Sequence, residues 1–159
     1  AAGAIPRLID MGAEPFLISS TLNIIVAQRL VRRLSEEKEK YTLSDKEIAN
    51  LSAYCNVEKI EDILKYQKLL NPKQKLQDIP FWRPKATKES PDGYKGRMGI
   101  YEVLPVTETI KNLIIQRSSA DAIQERAQQE GMRTMVEDGF VKAVQGITSI
   151  EEVLRVVTE

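Results

Sequence analysis

Histidine is missing from the 159 residues and cysteine occurs once, at Cys55. One thiol excludes an internal disulfide and any multi-cysteine zinc site. Cys55 lies in a helical pattern with no histidine anywhere in the chain, so it reads as a small, partly buried residue and not as a nucleophile. Net charge is lacking as well: basic and acidic side chains number 23 each, which points to neither nucleic acid nor an anionic membrane as a partner. No apolar run approaches the length of a membrane span, and no basic head precedes an apolar core as in a targeting segment. The default expectation is the cytoplasm. Also absent is the nucleotide-binding pattern Gly-x-x-x-x-Gly-Lys-Ser/Thr.

What is present is an ordinary core-forming balance, with 42% apolar and 29% charged residues, sufficient for one or two small domains. The pattern turns on Gly93–Pro105. Gly93, Gly96 and Gly99 permit tight turns or close approach, and Ile100, Tyr101 and Val103 are β-prone before Pro105 ends the run. This glycine-rich stretch precedes a strand instead of joining a strand to a helix, so it reads as a turn with a basic rim and not as a phosphate cradle. At the other end, Ala1-Ala2-Gly3-Ala4-Ile5 has no initiator methionine and enters an apolar pattern at once. Either a processed start or, as the sharper expectation, an excised C-terminal fragment accounts for this.

Along the chain, residues 1–12 predict a short helix with Gly12 as its C-cap, and Glu14-Pro15 opens a second apolar turn. Leu22–Leu34 predicts a largely buried strand, although Gln28, Arg29, Arg32 and Arg33 interrupt it. Ser35–Tyr41 reads as a solvated charge run. Ser44 with Glu47 predicts a capping box for a helix to about Tyr54, and Asn56 caps a following amphipathic helix. Residues 71–92 read as a loop anchored by Ile79, Phe81 and Trp82, with a local basic excess of Arg83, Lys85, Lys88, Lys95 and Arg97. Thr107, Ser118 or Ser119, Thr134 and Ser149 then start four short helices. Helices of that length are marginal alone in water, so they must pack on one another or on the sheet.

Few side chains stand out chemically. Asp10, Glu102 and Asp138 are titratable, but caps and salt bridges explain them without a reaction. Gln28 and Arg29 sit inside an apolar stretch, and a guanidinium there needs a carboxylate, backbone carbonyls or an anion. An internal or subunit contact is the favoured reading for Arg29, with a nucleotide-related role behind it. Arg32 and Arg33 read as surface or interface groups, since tandem arginines do not specify DNA.

Several stretches in order, Ala2–Gly12, Ala27–Leu34, Gly93–Pro105, Gly131–Met135, Asp138-Gly139 and Gly146–Val156, resemble the traffic ATPases of type II secretion and type IV pilus assembly. Residues 35–92 match much less well. The resemblance implies an α/β fold: the distal edge of a RecA-like ATPase core, with Leu22–Leu34 and Gly99–Leu104 as late strands, followed by a C-terminal helical subdomain. It divides the chain into 1–34 as the end of the core, 35–92 as a helical and loop insertion, 93–105 as a core edge strand and 106–159 as the helical subdomain. The family's Walker, Asp-box and histidine-box motifs do not map onto this chain, so no catalytic residue is assigned. ATP and Mg²⁺ belong to the intact parent and are not expected on the fragment. Gln28, Arg29 and Arg97 are the candidates for a nucleotide-dependent or interface effect.

Many relatives carry two Cys-x-x-Cys pairs that flank the insertion. Here Ser35-Glu36-Glu37-Lys38 takes the first place and the second falls near Ala86 and Glu89, so no zinc is expected and apolar packing must hold the segment. The implied partners are identical subunits in a hexameric ring and an inner-membrane platform protein, with the protein cytoplasmic and peripheral to that membrane. Nucleic acid is not expected as a partner. The rival reading is a non-catalytic structural or protein-interaction module.

Overall fold

Two short helices open the chain in the computed structural model, which describes residues 1–158. They are α1 (Ala4–Asp10) and α2 (Pro15–Thr21). Gly12 takes a positive φ of 92° just past α1, a conformation that L side chains rarely adopt. Pro15 occupies the start of α2, where its missing N–H leaves no helical bond unmade. The long strand β1 (Ile24–Leu34) follows, then the short β2 (Lys38–Tyr41).

Ser44 and Glu47 close the expected capping box on α3 (Asp45–Leu51), which stops three residues before Tyr54. Asn56 Oδ1 accepts from the Lys59 amide at 3.0 Å and opens α4 (Val57–Tyr66). A 3-10 turn at Leu76–Asp78 leads into β3 (Phe81–Pro84), and β4 spans Tyr94–Pro105. Four helices complete the chain: α5 (Glu108–Ile115), α6 (Ala120–Gln129), α7 (Met135–Val144) and α8 (Ile150–Thr158). Thr107 caps α5 and Ser119, not Ser118, caps α6. The result is a mixed α/β chain with a C-terminal helical region.

The described strands form two two-stranded sheets, β1 with β4 and β2 with β3. Bonds near the ends of the first ladder, Ser35 N to Gly93 O at 3.0 Å and Val106 N to Asn23 O at 2.9 Å, require β1 and β4 to run antiparallel. The β2–β3 pair is antiparallel too, matching Lys38 with Pro84 and Tyr41 with Phe81. This corrects two readings: the Ser35–Tyr41 charge run contains a strand, and the 71–92 loop contains its partner. Alternating Lys38, Glu39 and Lys40 suits a short, solvent-facing strand, because its backbone pairs while its side chains stay wet.

The chain divides into two compact units, Ala1–Gln28 with Tyr101–Thr134, and Arg29–Ile100 with the chain from Met135 onward. The first unit buries Ile5 and Ile18 with Leu104, Ile110, Ile114 and Ile123, and α2 and α6 both pack on α5. The second has two apolar clusters. One joins Ile60, Leu64, Leu76, Ile79 and Phe81 to Phe140 and Ile150; the other joins Val31 and Ile100 to Val153 and Val156. Full burial of a side chain such as Phe81 or Phe140 contributes roughly 1.5–3 kcal/mol over leaving it in water. Trp82, expected in the apolar anchor with Ile79 and Phe81, is only half-buried, with Lys38 Nζ 5.1 Å from its ring centre.

A further correction concerns β1. The strand forms as expected, but it is not largely buried: Val31 and Leu34 are inside, while Ile24, Val26 and Leu30 are about half exposed. A two-stranded sheet with one packed face leaves the alternate side chains in solvent.

Candidate functional site

The three residues singled out from the sequence, Gln28, Arg29 and Arg97, all lie exposed on strands β1 and β4. Gln28 is exposed and ends the first segment of one unit, while Arg29, also exposed, begins the other. Arg29 Nη1 donates to the Val156 carbonyl in the last turn of α8. A guanidinium at a helix C-terminus both satisfies an otherwise orphan carbonyl and opposes the negative end of the helix dipole. Arg97 lies exposed on β4. Two of the three titratable groups singled out have structural contacts: Glu102 accepts from the Gln124 side-chain amide at 3.4 Å, and Asp138 pairs with Lys142 at 2.6 Å.

The densest polar constellation of the second unit lies elsewhere, where β1, β4 and α8 meet. Ser149 caps α8 by accepting from the Glu152 amide at 3.2 Å, which turns the Glu152 side chain back toward β1. There it is only 2% exposed. Its carboxylate accepts from the Arg32 amide at 3.0 Å and from Arg32 Nη2 at 2.8 Å. It also accepts from Arg155 Nε at 3.0 Å and Nη2 at 2.8 Å. Arg155 lies three residues on, so α8 carries both the anion and one of its cations on one face.

The rest of the constellation positions Arg32. Its guanidinium stacks 4.1 Å above the Tyr94 ring and reaches Asp92 at 3.3 Å. The Tyr94 hydroxyl meets the Ser149 hydroxyl at 2.9 Å, and Thr148 donates to the Arg32 carbonyl at 2.8 Å. Arg32 Nε is buried with no partner among the described residues. Burial alone would raise the Glu152 pKa. Hydrogen bonds from Arg155 and Arg32 overrule it and hold the carboxyl at about 2. The same contact raises Arg32 above its ordinary value, and burial pushes Tyr94 up.

These values define what the arrangement does. Glu152 is a carboxylate throughout the physiological range with its oxygens committed, so it has no proton to give and no basicity to lend. Cys55 donates to the Leu51 carbonyl at 3.3 Å, and burial, with Glu137 nearby, pushes its thiol up to about 11, the opposite of an activated thiolate. The constellation is a clamp of β1 and β4 on α8. Sequence reading took Arg32 for a surface or interface group and gave a role at the start of the last helix to Ser149. The one available signal was Ser149-x-x-Glu152-x-x-Arg155, which puts the carboxylate and a guanidinium within reach on one helix.

At Gly93 the glycine-rich turn is packed against its own chain. A Cβ on Gly93 would lie 2.7 Å from Lys85 N and from Pro84 Cβ, so the missing side chain admits the end of β3 and the residue after it. The Gly93 amide donates to the Ser90 carbonyl at 3.0 Å and is already used. No group of three or more His, Cys, Asp and Glu among the described residues is placed to hold a metal ion. No described helix is long and apolar enough to cross a membrane.

Comparison with known proteins gives the family. Residues 1–155 match the model of the type II/IV secretion system protein family. Type II secretion system protein E of Xanthomonas campestris pv. campestris is 41% identical over 157 residues, covering 98% of this chain and 25% of that protein. Type II secretion system ATPase E of Vibrio cholerae is 40% identical over 162 residues, covering 100% of this chain and 28% of that protein. Type IV pilus assembly ATPase PilB of Thermus thermophilus is 38% identical over 155 residues, covering 97% and 16%. The chain thus spans about a quarter or less of the length of such relatives. It belongs to the type II/IV secretion system protein family, the traffic ATPases of type II secretion and type IV pilus assembly.

Proposed function

We propose that this chain is the C-terminal portion of a traffic ATPase that powers type IV pilus assembly, type II secretion or DNA uptake. The observation that carries the reading is the family match over residues 1–155 in a chain without a P-loop, beside relatives several times longer. ATP and Mg²⁺ act at motifs outside this chain, whose own residues do not fit them. In the parent, β1 and β4 belong to the distal edge of a RecA-like core and α5–α8 to its helical subdomain. The parent works as a cytoplasmic hexamer on an inner-membrane platform, and this portion supports the core and the contacts between identical subunits.

Within that reading the Arg32–Glu152–Arg155 clamp keeps α8 on its strands while neighbouring subunits move. Arg97, exposed on β4, is a subunit- or nucleotide-facing group, and Gln28 and Arg29 flank it in role. The test is Mg²⁺-dependent ATP hydrolysis and ring assembly by the full-length protein and its Arg97→Ala and Arg29→Ala variants. Arg97→Ala is expected to lower hydrolysis or assembly while leaving the melting temperature unchanged. A full-length protein that hydrolyses no ATP overturns the motor reading and leaves a structural module. Unaltered hydrolysis and assembly in both variants remove these arginines from the interface.

A further inference from the structure

Away from the clamp, β2, α3 and α8 border a groove of about 210 Å³, floored by Leu43, Leu51, Ile150 and Leu154 and rimmed by Glu47 and Glu151. Small-molecule sites run to roughly 300–1,000 Å³, so this space suits one side chain better than a nucleotide or cofactor. Its mouth already selects for positive charge. The Arg83 guanidinium lies 3.8 Å above the Tyr41 ring, 3.0 Å from Glu47 and 3.5 Å from Glu151. Two carboxylates share that single guanidinium, which leaves the rim one negative charge in excess.

We propose that this groove docks one long cationic side chain, arginine or lysine, presented by a basic peptide segment of a partner protein. The methylene stem lies on the aliphatic floor while the head stays at the wet rim against Glu151, which is the more exposed carboxylate. Tyr41 contributes its ring as a neutral phenol, whose hydroxyl burial pushes up to about 12. An acidic segment is rejected by the same rim, so the groove discriminates by sign. The inference concerns a surface of the second unit alone and does not depend on ATP hydrolysis by the parent.

The experiment follows backbone amide resonances of the 159-residue chain during titration with a capped Ala-Leu-Arg-Leu-Ala peptide. Matched peptides carry citrulline, lysine or glutamate in place of arginine. Shifts are expected to cluster at Leu43, Leu51, Ile150 and Glu151, with arginine and lysine peptides alike and the glutamate peptide inert. Citrulline keeps the shape and loses the charge, so its affinity should fall roughly fivefold, the scale of one partly exposed ion pair. Glu151→Gln should impose the same loss on the arginine peptide without changing resonances far from the groove. Equal binding of citrulline and arginine peptides, full affinity in Glu151→Gln, or shifts scattered over the surface overturns the proposal. So do concentration-dependent shifts at these residues without peptide, which would assign the groove to a second copy of the chain.

Discussion

Replacing Glu152 with glutamine keeps the shape of the side chain and removes the charge that Arg32 and Arg155 share. The native carboxyl is held at about 2 against an ordinary value of 4.5. At about 1.4 kcal/mol per pH unit, that displacement corresponds to about 3 kcal/mol of stability. Glu152 itself is 2% exposed, but the two guanidinium groups are 41% and 46% exposed, so water recovers part of what they lose. A loss of about 2–3 kcal/mol at neutral pH is therefore expected for Glu152→Gln, measured by urea unfolding of the isolated chain.

The pH dependence is the sharper test. A depressed carboxyl contributes its full stabilisation above the unfolded value near 4.5 and loses it as pH falls through the folded value near 2. The difference in stability between the native chain and Glu152→Gln should accordingly be constant near neutrality and shrink between about pH 4.5 and pH 2. A double-mutant cycle with Arg32→Met should return a coupling of at least about 1 kcal/mol. A constant difference down to pH 2, or two substitutions that simply add, refutes the clamp.

Three other outcomes follow from the geometry. A Cβ on Gly139 would sit 2.4 Å from Val153 Cγ1, so Gly139→Ala should destabilise by about 1–3 kcal/mol where α7 packs on α8, and less in a Val153→Ala background; urea unfolding of the two single variants and the double variant reads this. Ser44→Ala opens the capping box of α3 and should lose about 1 kcal/mol, with faster amide exchange confined to its first turn. Elemental analysis should find no stoichiometric zinc, and a chelator should leave the melting temperature unchanged, since the segment over residues 35–92 is closed by apolar packing around Phe81.

Local signals account for most of what the sequence disclosed. Ser44, Asn56, Thr107 and Ser119 act within three residues of themselves, by accepting an amide of the first helical turn, so their meaning is readable without the fold. Gly12 and Gly131 mark helix ends through their own backbone angles, with φ of 92° and 98°. The β2–β3 ladder had no such local mark. Its pairing of Glu39 with Arg83 joins segments more than forty residues apart, and neither strand is apolar enough to announce itself. The clamp failed for the same reason: Arg32 finds Glu152 at a separation of 120 residues.

The misjudged burial of β1 has a different origin. Apolar content reports what a strand requires over its working life, whereas exposure reports what surrounds it in one chain. Ile24, Val26 and Leu30 satisfy the first and not the second, and on the same sheet Tyr101 and Val103 of β4 are likewise exposed. Alternation separates them from Val31, Ile100 and Leu104, which are fully buried, so the strands are correctly formed and correctly faced. Under the proposed function, the surplus on the open face is what a strand pair drawn from a larger sheet would carry. The clamp then has a clear physical purpose. A two-stranded ladder is marginal by itself, and contacts of Arg32 on β1 and Tyr94 on β4 with the start of α8 tie both strands to that helix.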